Sequence, residues 1–429
     1  MKYFQLILVC VTFTIATSCN TKPNTQITNT NDYNVYLNSV KNESLEQVKL
    51  DFNFWEQKLK NTPDQYPYNA KFACANTAIF KLTGEIASLK NAEKNLIFAN
   101  EKTKYNNAGY LRSLSRNYIS QHRFKEALAL LQKAEINGEN LEQTQLMLID
   151  VYLELGNLEA TEHYLSKVKN FKSFDYLIRI SKFNDHMGNL DKAIQYLEAS
   201  LAIAKSSNNK ALIQWNYTNL ADYYGHAGRI EDSYNAYLKA LALNPNDSYA
   251  KKGIAWIVYS YERNPEEALR ILDAVTKENI APDYHLLKAE ILGFIGNNNQ
   301  KERQIAKYLT KVSDSNYGVM YHKYDVLLHA DNNSKKALTI AVQEVSERPT
   351  AQSYDLLAWS YFKNGQKEKA LEIVERYVIN KTFEPEALLH TAYILKANGS
   401  VEEAMKLKKE LIESIYELGP LAEKDIKNI

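Results

Sequence analysis

The chain has 429 residues, of which 45% are hydrophobic and 24% charged, and its formal net charge is +1. These are the proportions of a folded chain with ample apolar surface to bury. A near-neutral balance leaves no basic excess to hold a phosphate backbone, which argues against a nucleic-acid partner.

The first element is a leader. Lys2 precedes a mostly apolar run from Phe4 to Ile15, too short to cross a bilayer with ease. Ala16-Thr17-Ser18-Cys19 follows. Small residues directly before a cysteine resemble a bacterial lipoprotein cleavage site, although Ala16 stands where Leu or Val is usual. The resemblance implies that residues 1–18 are a signal peptide and that Cys19 becomes an acylated N-terminus, anchored in the outer membrane. An ordinary secretory peptide cut near the same place is the other reading. Cys10 leaves with the leader, so Cys74 has no disulfide partner in the mature chain. Its neighbours Phe72, Ala73 and Ala75 suit a small buried residue. Residues 19–32 are polar and predict a flexible tether. Surface-exposed lipoproteins of one bacterial phylum carry acids directly after the cysteine. Here the only acid is Asp32, at the far end, which favours the periplasmic face while leaving surface exposure open.

Residues 33–66 predict capping helices, with Leu45, Val48, Phe52, Trp55 and Leu59 at helical spacing. Ser44 with Gln47 reads as a capping box. From 67 to 418 one turn keeps returning, at Gly84, Gly156, Gly188, Gly228, Gly296, Gly365 and Gly399, with His122, Arg263 and Asn332 in the gaps. The spacings are 38, 34, 32, 40, 35, 33, 36, 33 and 34 residues. A period near 34 predicts stacked helix pairs rather than one compact core.

Within a unit the pattern is specific. Between Trp215 and Pro245, the residues Tyr217, Leu220, Ala221 and Tyr224 share one helical face, and Ser233, Tyr237 and Ala240 face them. The same frame fits Leu111, Leu114, Ser115, Tyr118, Ala127, Leu131 and Ala134, and again Tyr354, Leu357, Ala358, Tyr361 and Ala370. Helices that cross closely need small residues at the crossing, as at Ala221 with Ser233 and Ala358 with Ala370. Glycine ends the first helix in the left-handed conformation. Pro245, Pro282, Pro349 and Pro385 fall between units, where helices must stop. Lys301, where alanine is usual, predicts a splayed pair, and an extra residue is expected in the turn at Arg263-Asn264-Pro265. Gly419-Pro420 closes the last helix, and residues 419–429 are expected to fray.

This frame resembles the tetratricopeptide repeat. The resemblance implies an all-α, right-handed superhelical solenoid of about ten helix pairs with an N-terminal helical cap. First helices of such arrays line the concave face. The family's groove positions fall on Arg112, Arg116, Lys182, His186, Trp215, Asp222, His226, Tyr249, Lys252, Trp256, Tyr259 and Trp359. They imply a groove for a partner protein or peptide, centred on the fifth and sixth units, since Trp and Tyr bury large area at low entropic cost. The competing reading is that the rings pack between neighbouring first helices, and for Trp359 it is the favoured one. His186 and His226 with Asp185 and Asp222 are metal-ligand types, but solvated groove residues are commoner and no metal is assigned. Lys182 and Asn219 match two positions of the family's clamp for a C-terminal carboxylate; Ile178, Tyr249 and Ile254 break it.

No G-x-S-x-G, H-E-x-x-H, C-x-x-C or glycine-rich phosphate loop occurs. The expected function is therefore a membrane-anchored, non-catalytic scaffold without a cofactor, binding a partner in its concave groove. The alternative is a glycan- or nutrient-binding outer-membrane lipoprotein. Sugar-uptake proteins that carry such repeats interrupt them with long insertions, and no connection here is that long.

Overall fold

The computed structural model describes residues 26–38 and 41–429. The expected signal peptide, the lipidation site Cys19 and the first part of the tether lie outside the described residues. Two helices, α1 (Thr30–Leu37) and α2 (Glu43–Asn61), precede ten helix pairs. The first five are α3–α4 (Tyr66–Thr83, Ile86–Lys102), α5–α6 (Ala108–Ser120, Phe124–Asn137), α7–α8 (Leu141–Glu154, Leu158–Lys167), α9–α10 (Phe174–His186, Leu190–Ser206) and α11–α12 (Lys210–His226, Ile230–Leu243). The others are α13–α14 (Ser248–Trp256, Pro265–Val275), α15–α16 (Asp283–Phe294, Asn298–Val312), α17–α18 (His322–Ala330, Ser334–Glu347), α19–α20 (Ala351–Lys363, Lys367–Tyr377) and α21–α22 (Pro385–Ala397, Val401–Glu413). Short helices α23 (Ile415–Leu418) and α24 (Ala422–Asn428) close the chain. The fold is the all-α solenoid expected.

Sequence dictates the pairs locally. Nine of the ten turn residues have positive φ, including the non-glycines His122 (58°) and Arg263 (59°). Asn332 is the exception; there the Asn333 amide donates back to the His329 carbonyl at 2.8 Å. The crossing points are small and buried. Ala221, Ser233, Ala358 and Ala370 are wholly inaccessible, and the Ser181 hydroxyl donates to the Ala193 carbonyl at 2.7 Å. Lys301 does not splay its pair, because Gly293 opposite leaves room for its stem: a Cβ there would meet the Lys301 Cδ at 3.4 Å.

Four expectations are corrected. The extra residue of the sixth unit sits inside its first helix, where Ile257–Tyr261 form a π-turn and the Glu262 amide reaches the Ile257 carbonyl at 3.1 Å. The cap of α2 is Asn42, whose side chain accepts from the Leu45 amide, rather than Ser44. Cys74 is exposed. The C-terminal tail is packed, since Ala422, Ile426 and Ile429 form an apolar face buried against the last pair.

The N-terminal segment also departs from a free tether where it is described. The Ile27 and Thr28 amides donate to Glu262 at 2.7 and 2.6 Å, and the Tyr33 hydroxyl donates to Glu267 at 2.7 Å. Tyr33 is fully buried against α12 and α14, in the middle of the array. Helix α2 alone caps the first pair, with Phe52 on Phe72 and Trp55 on Tyr68.

Packing also runs between successive turns of the superhelix. The Ile280 amide donates to the Thr83 carbonyl at 2.7 Å, joining the start of unit seven to the turn of unit one. Arg348, before unit nine, pairs with Glu154 at the end of the first helix of unit three at 2.6 Å. Phe383, before unit ten, lies over Gly188 of unit four, where a Cβ would come within 2.7 Å of its ring. Each contact spans six units. The inner face is consequently roofed by the following turn.

Candidate functional site

The first helices point polar and aromatic side chains inward, and the next turn closes over them. Four cavities of about 300, 360, 420 and 490 Å³ result. They share walls: Glu154 and Lys182 border two, Glu384 another two, and Lys323 and Glu386 three. The four cavities thus adjoin along the inner face as a half-open channel.

At one end Arg116 faces Asp150, Asp175 and Arg179 across a cavity. Next, Glu154 receives Lys182 at 2.7 Å and Arg348 at 2.6 Å. Burial alone would raise the Glu154 carboxyl, but the two cations outweigh it and hold it below the usual range. Burial likewise works against charge on Lys182, and Glu154 and Asp150 hold it above the ordinary lysine range. His186 borders the same cavity, its imidazole pushed down by burial. Opposite stands Asp355, 3% exposed, one oxygen 2.9 Å from His390 Nδ1.

The far end is built by the fifth, sixth and seventh first helices with α23. Asp222 accepts from the Tyr237 hydroxyl and, at 2.6 Å, from that of Tyr249. Burial raises its pKa, and the two hydroxyls hold it back only in part. Tyr237 reaches Asp222 by lying flat on Gly253, where any Cβ would overlap the ring. Trp256 and Ser260, on either side of the start of the π-turn, both donate to the Tyr416 carbonyl, at 3.0 and 2.7 Å. His226 Nδ1 lies 3.7 Å from Glu417, and Lys252 Nζ lies 3.7 Å from Asp283.

Of the twelve groove residues expected, eight border the channel: Arg116, Lys182, His186, Asp222, His226, Tyr249, Lys252 and Trp256. Four do not. Arg112 is buried between units, donating to the Glu139 carbonyl at 2.8 Å and to Thr144 at 3.0 Å, because its helix face meets α7 there. Tyr259 is fully buried, edge-on to Trp256 and Phe294, since the π-turn rotates it into the core. Trp215 is 39% exposed and leans on Phe174 away from the cavities. Trp359 stacks on His390 at 4.1 Å and packs between first helices. Residues missed by repeat position are Glu154, Glu290, Lys323, Arg348, Glu384, Glu386, Tyr416 and Glu417. Arg348, Glu384, Tyr416 and Glu417 come from segments one superhelical turn away, for which the repeat frame has no position. Among the described residues no group of three His, Cys, Asp or Glu side chains is placed to hold a metal.

This geometry defines the class, an all-α repeat protein with cavities along its inner surface. The model of the tetratricopeptide repeat matches residues 174–207, 216–247 and 351–378, the fourth, fifth and ninth units. The chain therefore carries tetratricopeptide repeats. A solved human IFIT1 dimer with PPP-AAAA is similar over 72% of this chain and 71% of that one, with 15% identity and a TM-score of 0.45. A tetratricopeptide repeat protein from Parabacteroides merdae is similar over 59% of this chain and 96% of that one, with 20% identity and a TM-score of 0.34. No curated protein matches the chain.

Proposed function

We propose that the protein is a non-catalytic binding scaffold that receives a segment of a partner protein along its inner channel. The observation that carries this reading is the channel itself, a run of charged and aromatic side chains bordering four adjoining cavities. Cavities of this size are those of small-ligand sites. They suit an extended segment or a chain end better than a helix, whose diameter with side chains is about 10–12 Å. The acids along the channel disfavour a phosphate-bearing occupant.

We further propose that acylation of Cys19 holds the protein at the periplasmic face of the outer membrane. Tethering would raise the effective concentration of partners at that surface, so that modest contacts suffice. No helix among the described residues is long and apolar enough to cross a membrane.

Photo-crosslinkers placed at Lys252 and at His186 should capture a partner in intact cells, while one at Ile136, exposed on a second helix, should not. Capture from Ile136 alone would overturn the channel reading. For the anchor, Cys19→Ala should release the protein from the membrane fraction and abolish incorporation of labelled palmitate. An unchanged distribution would refute it.

A further inference from the structure

The chain's own C-terminal segment occupies part of the channel. After Glu413 the chain leaves the last pair, and α23 lies against α11, the π-turn and α21, all parts of first helices. The chain then returns, and α24 packs back on the tenth pair through Ala422, Ile426 and Ile429. Both ends of this excursion are fixed. Leu411 is wholly buried in the last pair, and Arg263 of the sixth unit holds Glu423 at the start of α24. The tip between them, Ile415–Leu418, is half-buried. It reaches the inner face, where Tyr416 and Glu417 border the 360 Å³ cavity.

The tip is held as a bound peptide is held. Trp256 Nε1 and the Ser260 hydroxyl both donate to the Tyr416 carbonyl, at 3.0 and 2.7 Å. Every segment has such carbonyls, so this fork supplies affinity without reading sequence. The ring supplies the reading. Tyr416 lies on Gly225 of α11, where a Cβ would come within 2.9 Å of the ring. Glycine weakens a helix interior, and here it opens a seat for one aromatic side chain. The tip suits this place imperfectly. Burial works against charge on Glu417; His226, 3.7 Å away, offsets this only in part, and Glu384 and Asp185 add repulsion.

We propose that Ile415–Leu418 is an intramolecular competitor for the partner, filling one seat of the channel until a partner segment with an aromatic residue displaces it. This rests on the reading of the channel as the partner's binding surface. It adds what the partner must carry, an aromatic side chain for Gly225 and a free carbonyl for Trp256 and Ser260. Because the tip is tethered on both sides, the partner competes against an effective concentration on the order of 1 mM. Displacing the tip leaves Leu411 and α24 in their places on the tenth pair.

A fluorescein-labelled peptide of residues 413–421, titrated with the purified full chain and read by anisotropy, tests this. Tyr416→Ala empties the seat, so this variant should bind the peptide about tenfold or more tightly than wild type does. The same peptide carrying Tyr416→Ala should not bind. Gly225→Ala favours the helix but closes the seat, and it repeats the test should Tyr416→Ala fold poorly, as judged by circular dichroism. It should leave the peptide unbound and let Glu-C protease cut after Glu417 several-fold faster than in wild type. In intact cells, partner capture from Lys252, which borders the 490 Å³ cavity with Glu417, should rise in Tyr416→Ala. Peptide bound by neither protein, or equally by wild type and Tyr416→Ala, overturns the proposal, as does unchanged capture or unchanged Glu-C cleavage. The peptide needs no partner, so its failure with the wild-type crosslinks intact would sink the competitor and spare the channel.

Discussion

Gly253→Ala sets two rules against each other. The residue lies within α13, where alanine is the better helix former by about 1 kcal/mol. The structure opposes that gain. A Cβ at Gly253 would lie 2.5 Å from two carbons of the Tyr237 ring and closer still to a third. Tyr237 is 4% exposed, and relief would require its ring to shift toward the cavity it borders. Overpacking of this kind costs about 1–3 kcal/mol. Moving the ring also breaks its hydroxyl bond to Asp222, worth about 1 kcal/mol. The net effect is a destabilisation of about 1–3 kcal/mol, read as a lower urea midpoint by far-UV circular dichroism. In a Tyr237→Leu background the penalty should shrink by about 1 kcal/mol or more, because the two sites are coupled. A midpoint that is unchanged or higher in the single variant would refute the packing argument and leave helix propensity as the deciding factor.

Four further outcomes are expected. Because the Glu290 carboxyl is raised from 4.5 to about 7, the folded chain binds its proton more tightly than the unfolded chain, so stability falls as pH rises through that window. The decrease is at most about 3 kcal/mol, and Glu290→Gln should flatten it when urea midpoints at pH 5 and pH 8 are compared. Glu154 has the opposite sign. Its lowered carboxyl contributes stability that is present above 4.5 and disappears as the pH falls below that value. Arg348→Ala should weaken the packing between turns by about 1–3 kcal/mol, seen as faster hydrogen exchange at residues 153–156 with little change in the first unit. Tyr33→Ala should free the N-terminal segment, at a local cost of about 3–5 kcal/mol, and expose residues 26–38 to limited proteolysis while far-UV circular dichroism is retained.

Features governed by neighbours in sequence could be read before the structure. Turns with positive φ at Gly84, His122 and Arg263 follow from the repeat phase, as do the small crossings at Ala221 and Ser233. The eight channel-lining residues named by repeat position were reachable because a first helix always turns the same face inward. The rest depended on distance along the chain. Nothing local to Arg348 says that it will meet Glu154, 194 residues earlier. The π-turn was legible only as one extra residue in the sixth unit; helix and loop can each absorb one residue, and the buried packing of Ile257, Val258 and Tyr259 decides it. The place of α1 was not legible either, because Tyr33 is its one buried residue and a single aromatic leaves no periodic pattern.

The packing between turns changes what kind of object this solenoid is. An open array behaves as a spring, each unit answering only to its neighbours, so it can stretch and can shed an end unit with local consequences. Here extension by any appreciable amount must first part Ile280 from Thr83 and Arg348 from Glu154. The coil is therefore stiff along its axis, and its tenth unit is a structural partner of its fourth through Phe383 and Gly188. Removing the last pair would be felt in the middle of the chain.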